Sequence, residues 1–164
     1  MEKILFFEQQ TLRQLPRIWI IMLISIGAIA LPVAMEVNIN NNEDIFAIIF
    51  SIGLMVIIFA FLMVVRLDTK VSKEGISIKF FPFHRSFRLY RWENISNVTV
   101  VKHMILRSRG WGVRNHVRGT RLYNMGGKKG LQLEFYHGRK VFIGTKKIAE
   151  LEAVLYKIGQ LSNK

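Results

Sequence analysis

Two stretches without a charged side chain, Ile18 to Met35 and Ile45 to Val65, constrain this chain more than any other feature. At about 1.5 Å of rise per residue, roughly 20 residues cross the hydrocarbon core of a bilayer as a helix. Backbone polar groups in lipid must be satisfied within the segment, which leaves the helix as the form such stretches take. The intervening residues 36–44 reach only far enough for an antiparallel return. The sequence therefore predicts a transmembrane helical hairpin over 18–65, with spans 18–35 and 45–65 and an external link 36–44. An N-terminal segment, 1–17, precedes it, and a separate domain, 66–164, follows. Small residues recur four apart at Ala30 and Ala34 and at Ala47 and Ser51. Such spacing is predicted to let helix backbones approach where hydrophobicity gives no driving force. Neither span holds a charge, so no ion or proton path is expected.

Charge placement sets the predicted topology. Lys3, Arg13 and Arg17 precede the first span; Glu36, Glu43 and Asp44 occupy the link; Arg66, Lys70 and Lys73 follow the second. The excess of Lys and Arg on one side puts both termini in the cytoplasm, in a multi-pass protein of the cell membrane. A cleaved signal peptide is the competing reading, because Ala28-Ile29-Ala30 has the small residues of a cleavage site. The apolar run continues to Met35, however, and the start carries Glu2 and Glu8, which a short basic leader lacks.

Before the first span, Phe6, Phe7, Leu12, Leu15 and Trp19 read as the apolar side of a surface helix leading into the membrane. From Leu67 onward the pattern changes to short alternating runs. Ile76, Ile78 and Phe80 alternate with Ser77 and Lys79 after a tight turn at Lys73-Glu74-Gly75, and Pro82 ends that run. Further strands are predicted around Phe87 to Trp92, Ile95 to Val101, Leu131 to Phe135 and Val141 to Ile143, with a hairpin turn at His137-Gly138. Gly126-Gly127-Lys128-Lys129-Gly130 lacks the spacing of a phosphate loop and reads as another hairpin turn. Thr145 is predicted to cap a final helix in which Ile148, Leu151, Val154, Leu155 and Ile158 recur at helical spacing. Many short strands and one amphipathic helix give an α+β membrane protein whose tail is a small β-barrel or roll closed by a C-terminal helix.

The runs Gly110-Trp111-Gly112-Val113-Arg114, Tyr123-Asn124, Gly130-Leu131-Gln132-Leu133 and Gly138-Arg139-Lys140-Val141-Phe142-Ile143-Gly144-Thr145, with Gly127 between them, resemble a bacterial pleckstrin-homology-like family. Phe81-Pro82-Phe83 with Ile95, and Phe7-Glu8-Gln9-Gln10 before the first span, are similar to it as well. The resemblance covers most of the chain and implies two N-terminal membrane helices. It also implies seven strands in a bent barrel capped by the terminal helix. It implies no reaction. Lipid-reading members of the wider fold hold phosphoinositides in a long loop between the first two strands. Here the corresponding turn is Lys73-Glu74-Gly75, which leaves no room for that cradle and predicts low headgroup specificity.

No arrangement of chemistry-bearing residues points to catalysis. The chain has no Cys, which excludes thiolate chemistry and disulfides. His84, His103, His116 and His137 are scattered without ligand spacing, so no metal and no cofactor is expected. The acids of the tail, Asp68, Glu74, Glu93, Glu134, Glu150 and Glu152, form no pair suited to acid–base work. Basic residues stand above this background. The formal net charge is +13, and from Arg66 onward 21 Lys and Arg face six acids. Arg107, Arg109, Arg114, Arg118, Arg121, Lys128 and Lys129 crowd one part of the tail and are the predicted contact with anionic lipid or a partner. Nucleic acid is not expected, because the tail's aromatics are needed for packing a small barrel. The sequence thus predicts a non-enzymatic binding or scaffolding protein at the inner membrane surface. An accessory subunit of a larger membrane complex, such as a transporter or envelope-maintenance machine, is the first alternative. An enzyme is the second.

Overall fold

A computed structural model describes residues 3–14, 16–36, 42–101, 111–115, 120–126 and 129–161. The chain forms an α+β protein in two compact units, one of residues 1–10 with 66–164 and one of residues 11–65.

The unit of residues 11–65 is helical. A short 3-10 turn, Leu12–Gln14, leads to α1, Pro16–Glu36, and α2, Asn42–Val64. Among the described residues α2 is the one helix long and apolar enough to cross a membrane, and α1 contributes a shorter apolar stretch, Ile18–Ala28. No residue of α2 is buried. Phe46, Ile49, Phe50 and Ile57 are each more than 60% exposed, an apolar surface of the kind that marks a protein or membrane contact. Trp19 of α1 meets Phe59 of α2 edge to face at 6.0 Å. Its indole Nε1 donates to the Arg13 carbonyl at 3.0 Å. The partly covered positions of α2 are Asp44, Ile48, Ser51, Met55, Phe59, Leu62 and Met63, and those from Ile48 to Leu62 recur as a stripe at helical spacing. Of the predicted small-residue quartet, Ser51 lies on this stripe and donates its hydroxyl to the Ala47 carbonyl at 2.8 Å. Ala30 and Ala47 are exposed, and the side chain of Ala34 lies outside the described residues.

The other unit contains two sheets. The first has the order β1–β2–β3–β4: Ile4–Thr11, Arg66–Ser72, Gly75–Phe81 and Arg88–Arg91. Residues 4–11 therefore do not extend α1. They supply an edge strand to the domain that follows α2, which corrects the expectation of a surface helix. Phe6, Glu8 and Gln10 point inward at a period of two while Phe7 and Gln9 face out. Strands β2 and β3 form a hairpin across Lys73-Glu74, where the Ser72 hydroxyl accepts from the Glu74 amide at 3.3 Å.

The second sheet has the order β5–β8–β9–β7–β6: Ile95–Val101, Gly130–Phe135, Lys140–Gly144, Thr120–Met125 and Trp111–Asn115. Strands β8 and β9 form the predicted hairpin, with Gly138 at φ +75° in its turn, where a side chain would be strained. Residues 126–130 depart from expectation. They join β7 to β8, but these strands are not neighbours: β9 lies between them, antiparallel to β8 and parallel to β7. Strands β7 and β8 therefore do not pair as the two arms of a hairpin. Gly127 and Lys128 themselves lie outside the described residues.

Helix α3, Ile148–Lys157, buries Leu151 and Leu155 and leaves Ile148 and Val154 partly covered. The residue at its N-cap is Lys147 rather than Thr145. Thr145 stands two residues earlier, accepting from the Lys147 amide at 3.0 Å while donating to the Glu8 carboxylate.

Candidate membrane-facing surface

Strand alternation divides the predicted basic cluster. Arg114 on β6 lies opposite Leu122, and Arg121 on β7 lies opposite Asn115. Cross-strand partners share a sheet face, and consecutive residues do not, so Arg114 and Arg121 belong to opposite faces. Lys129 is exposed just before β8. Arg107, Arg109, Arg118 and Lys128 lie outside the described residues.

The first sheet assembles a different basic surface. On β2 and β3, Leu67, Thr69 and Val71 face Phe80, Ile78 and Ile76 on the core side. The outer face then receives Arg66 opposite Phe81, Asp68 opposite Lys79 and Lys70 opposite Ser77. Cations and rings alternate across it. The Lys70 ammonium lies 5.8 Å from the Phe7 ring and 4.1 Å from the Phe87 ring. Lys79 lies 5.7 Å from Phe87 and 5.9 Å from Phe81, and the Arg66 guanidinium lies 5.5 Å from Phe81. Each such contact contributes about 0.5–1 kcal/mol at an exposed site. Phe7 is 50% exposed, and Phe87 and Leu89 are also open to solvent. Asp68 is the one acid among these residues. It is buried and pairs with Arg66 at 3.5 Å.

Inside the unit, the hydroxyls of Tyr90 on β4 and Tyr123 on β7 meet at 3.2 Å, joining the two sheets. Burial and the Tyr123 hydrogen bond hold the Tyr90 phenol well above the usual range. His84 lies 5.9 Å from the Tyr123 ring, centroid to centroid. Partial burial, then the charges of Arg88 and Arg121, lower its pKa. A second polar seam ties β1 to the end of β9. The buried Glu8 carboxylate accepts from the Thr145 hydroxyl and from the Lys146 amide at 2.8 Å, and Gln10 donates to the Gly144 carbonyl at 2.8 Å. These contacts are structural in character. Among the described residues, no three His, Asp or Glu side chains gather as metal ligands.

No family model matches the chain, and no curated protein and no solved structure is similar to it.

Proposed function

We propose that this is a non-enzymatic binding or scaffolding protein of the cell membrane. In this reading α1 and α2 form a transmembrane hairpin, both termini are cytoplasmic, and the remainder is a pleckstrin-homology-like domain working against the inner, anionic leaflet. The carrying observation is the exposed apolar length of α2, followed after the single residue Val65 by Arg66 and a domain with 21 Lys and Arg against six acids. A residue adds at most about 3.6 Å of chain, so Arg66 cannot stand far from the end of α2. Basic side chains held near an anionic surface contribute about 1 kcal/mol each, falling off within a Debye length. Strands followed by helix α3, with Leu151 and Leu155 buried, support the pleckstrin-like architecture.

The test uses single thiols, since the chain has no Cys. In intact bacterial cells, Asn42→Cys reacts with an impermeant maleimide, whereas Tyr136→Cys reacts only after the cells are opened. Labelling of Tyr136→Cys from outside overturns the topology.

The second reading, an accessory subunit of a membrane complex, is favoured by one feature. Among the described residues β5 ends its sheet, and a groove of about 470 Å³ runs along Ile95 to Val100 against Gly159 to Leu161. An open strand edge beside a groove suits an added strand from a partner. Cross-linking from Thr99 in native membranes distinguishes the readings: a single partner captured in stoichiometric yield supports the subunit.

A further inference from the structure

We infer that the outer face of the first sheet, carrying the row Phe7, Lys70, Phe87, Lys79, Phe81 and Arg66, lies on the anionic membrane surface. This rests on the membrane-anchored reading above and names the surface that makes contact, which is not the basic cluster expected from the sequence.

Three observations converge on this face. The first is composition in space. Three cations and three rings alternate across β1, β2 and β3, from Phe7 on β1 to Phe87 just before β4. The one carboxylate among them, Asp68, is buried and pairs with Arg66, so three cations against one acid leave the face a cationic surplus. Aromatic rings with Lys and Arg are the composition that settles at the headgroup level, rings toward the acyl boundary and charges toward phosphate.

The second is accessibility. Phe7, Phe87 and Leu89 keep between 36% and 50% of their surface exposed. Holding Lys70 over two rings keeps the ammonium at the surface while its stem covers apolar area. The third is the tether. Arg66 opens β2 one residue after α2 ends. The Leu12 amide donates to the Val65 carbonyl at 3.4 Å, so the chain leaving β1 and the chain entering β2 run together. Strand β2 thus follows α2 after one residue and β1 leads through the 3-10 turn to α1, so this sheet is the part of its unit joined in sequence to both apolar helices.

The experiment uses the full chain reconstituted into phosphatidylcholine vesicles with and without phosphatidylglycerol. An environment-sensitive fluorophore is placed at Leu89→Cys on the outer face, or at Lys129→Cys as the alternative basic surface. Some vesicles also carry a lipid-borne nitroxide. The Leu89 probe is expected to blue-shift and be quenched several-fold more in phosphatidylglycerol vesicles than in phosphatidylcholine alone. Raising the salt should reverse this. The pair Lys70→Gln and Lys79→Gln should abolish it, whereas Lys70→Arg with Lys79→Arg should retain it. Unchanged thermal melting of the Gln pair excludes misfolding as the cause. Quenching at Lys129 without quenching at Leu89 overturns this inference while leaving the membrane-surface reading intact. Quenching at neither site, at any salt, overturns both.

Discussion

Thr145 and Glu8 show how much one buried contact decides. The Glu8 carboxylate is almost fully buried, yet it belongs to the first strand and finds its donors more than 130 residues away. Removing the hydroxyl with Thr145→Val leaves one carboxylate oxygen short of a partner. A buried acceptor so deprived costs about 1–3 kcal/mol, more when it is charged. Chemical denaturation should therefore show a lower midpoint at unchanged slope. An effect below half a kcal/mol at neutral pH means that water replaces the hydroxyl. His84 gives a pH prediction of definite sign. Its folded pKa lies below the ordinary imidazole value, first because of burial and then because of Arg88 and Arg121. The unfolded chain therefore binds the proton more readily, and stability falls as pH drops from the unfolded value toward the folded one. His84→Gln should flatten the dependence of melting temperature on pH in that window, and an imidazole titration by NMR should move upward in Arg121→Gln.

Among the elements, legibility followed the origin of each pattern. Strands β2 and β3, the β8–β9 hairpin and α3 were readable because their inward positions are apolar: Leu67, Val71, Ile76, Ile78 and Phe80, then Leu131, Leu133, Val141 and Ile143, then Leu151 and Leu155. Strand β1 was not readable. Two of its inward residues are Glu8 and Gln10, whose hydrogen bonds run to the end of β9 and the residues after it, so local alternation disappears into polarity. The cation–ring row was invisible for a related reason. Its residues span positions 7 to 87, and only register makes them neighbours. Residues 107 to 129 looked like one patch because they are close in sequence, whereas the period of two sends Arg114 and Arg121 to opposite faces. The role of β1 makes a direct prediction. A fragment of residues 66–164 exposes the edge of β2 and loses the Glu8 and Gln10 bonds. It should be markedly less stable than the same fragment with residues 3–11 joined ahead of it by a flexible linker. Equal melting temperatures overturn the strand assignment. In the linked form, Leu155→Ala should cost about 2–5 kcal/mol, because this fully buried side chain anchors α3 to the sheets.

At the scale of the whole molecule, charge and hydrophobicity are segregated along the chain: apolar helices first, then a domain with a large cationic surplus. Such a surplus attracts any anionic surface through a field of Debye range, about 8 Å at physiological ionic strength. A stereospecific headgroup site requires more, namely polar groups converging on one ring. The β2–β3 turn offers only Lys73 and Glu74, and its hydrogen bonds close back on Ser72. The linked fragment of residues 3–11 and 66–164, once shown to be folded, should therefore bind vesicles in proportion to their charge density. Phosphatidylglycerol and phosphatidylserine at equal mole fraction should bind it alike, and phosphatidylcholine should not bind it. Affinity should fall steeply with salt, because each contact is an exposed charge pair. A strong preference for one headgroup at equal charge would locate recognition in converging polar groups rather than in the field of the domain. Binding that is indifferent to both charge and salt would make the exposed rings, not the lysines, the source of affinity.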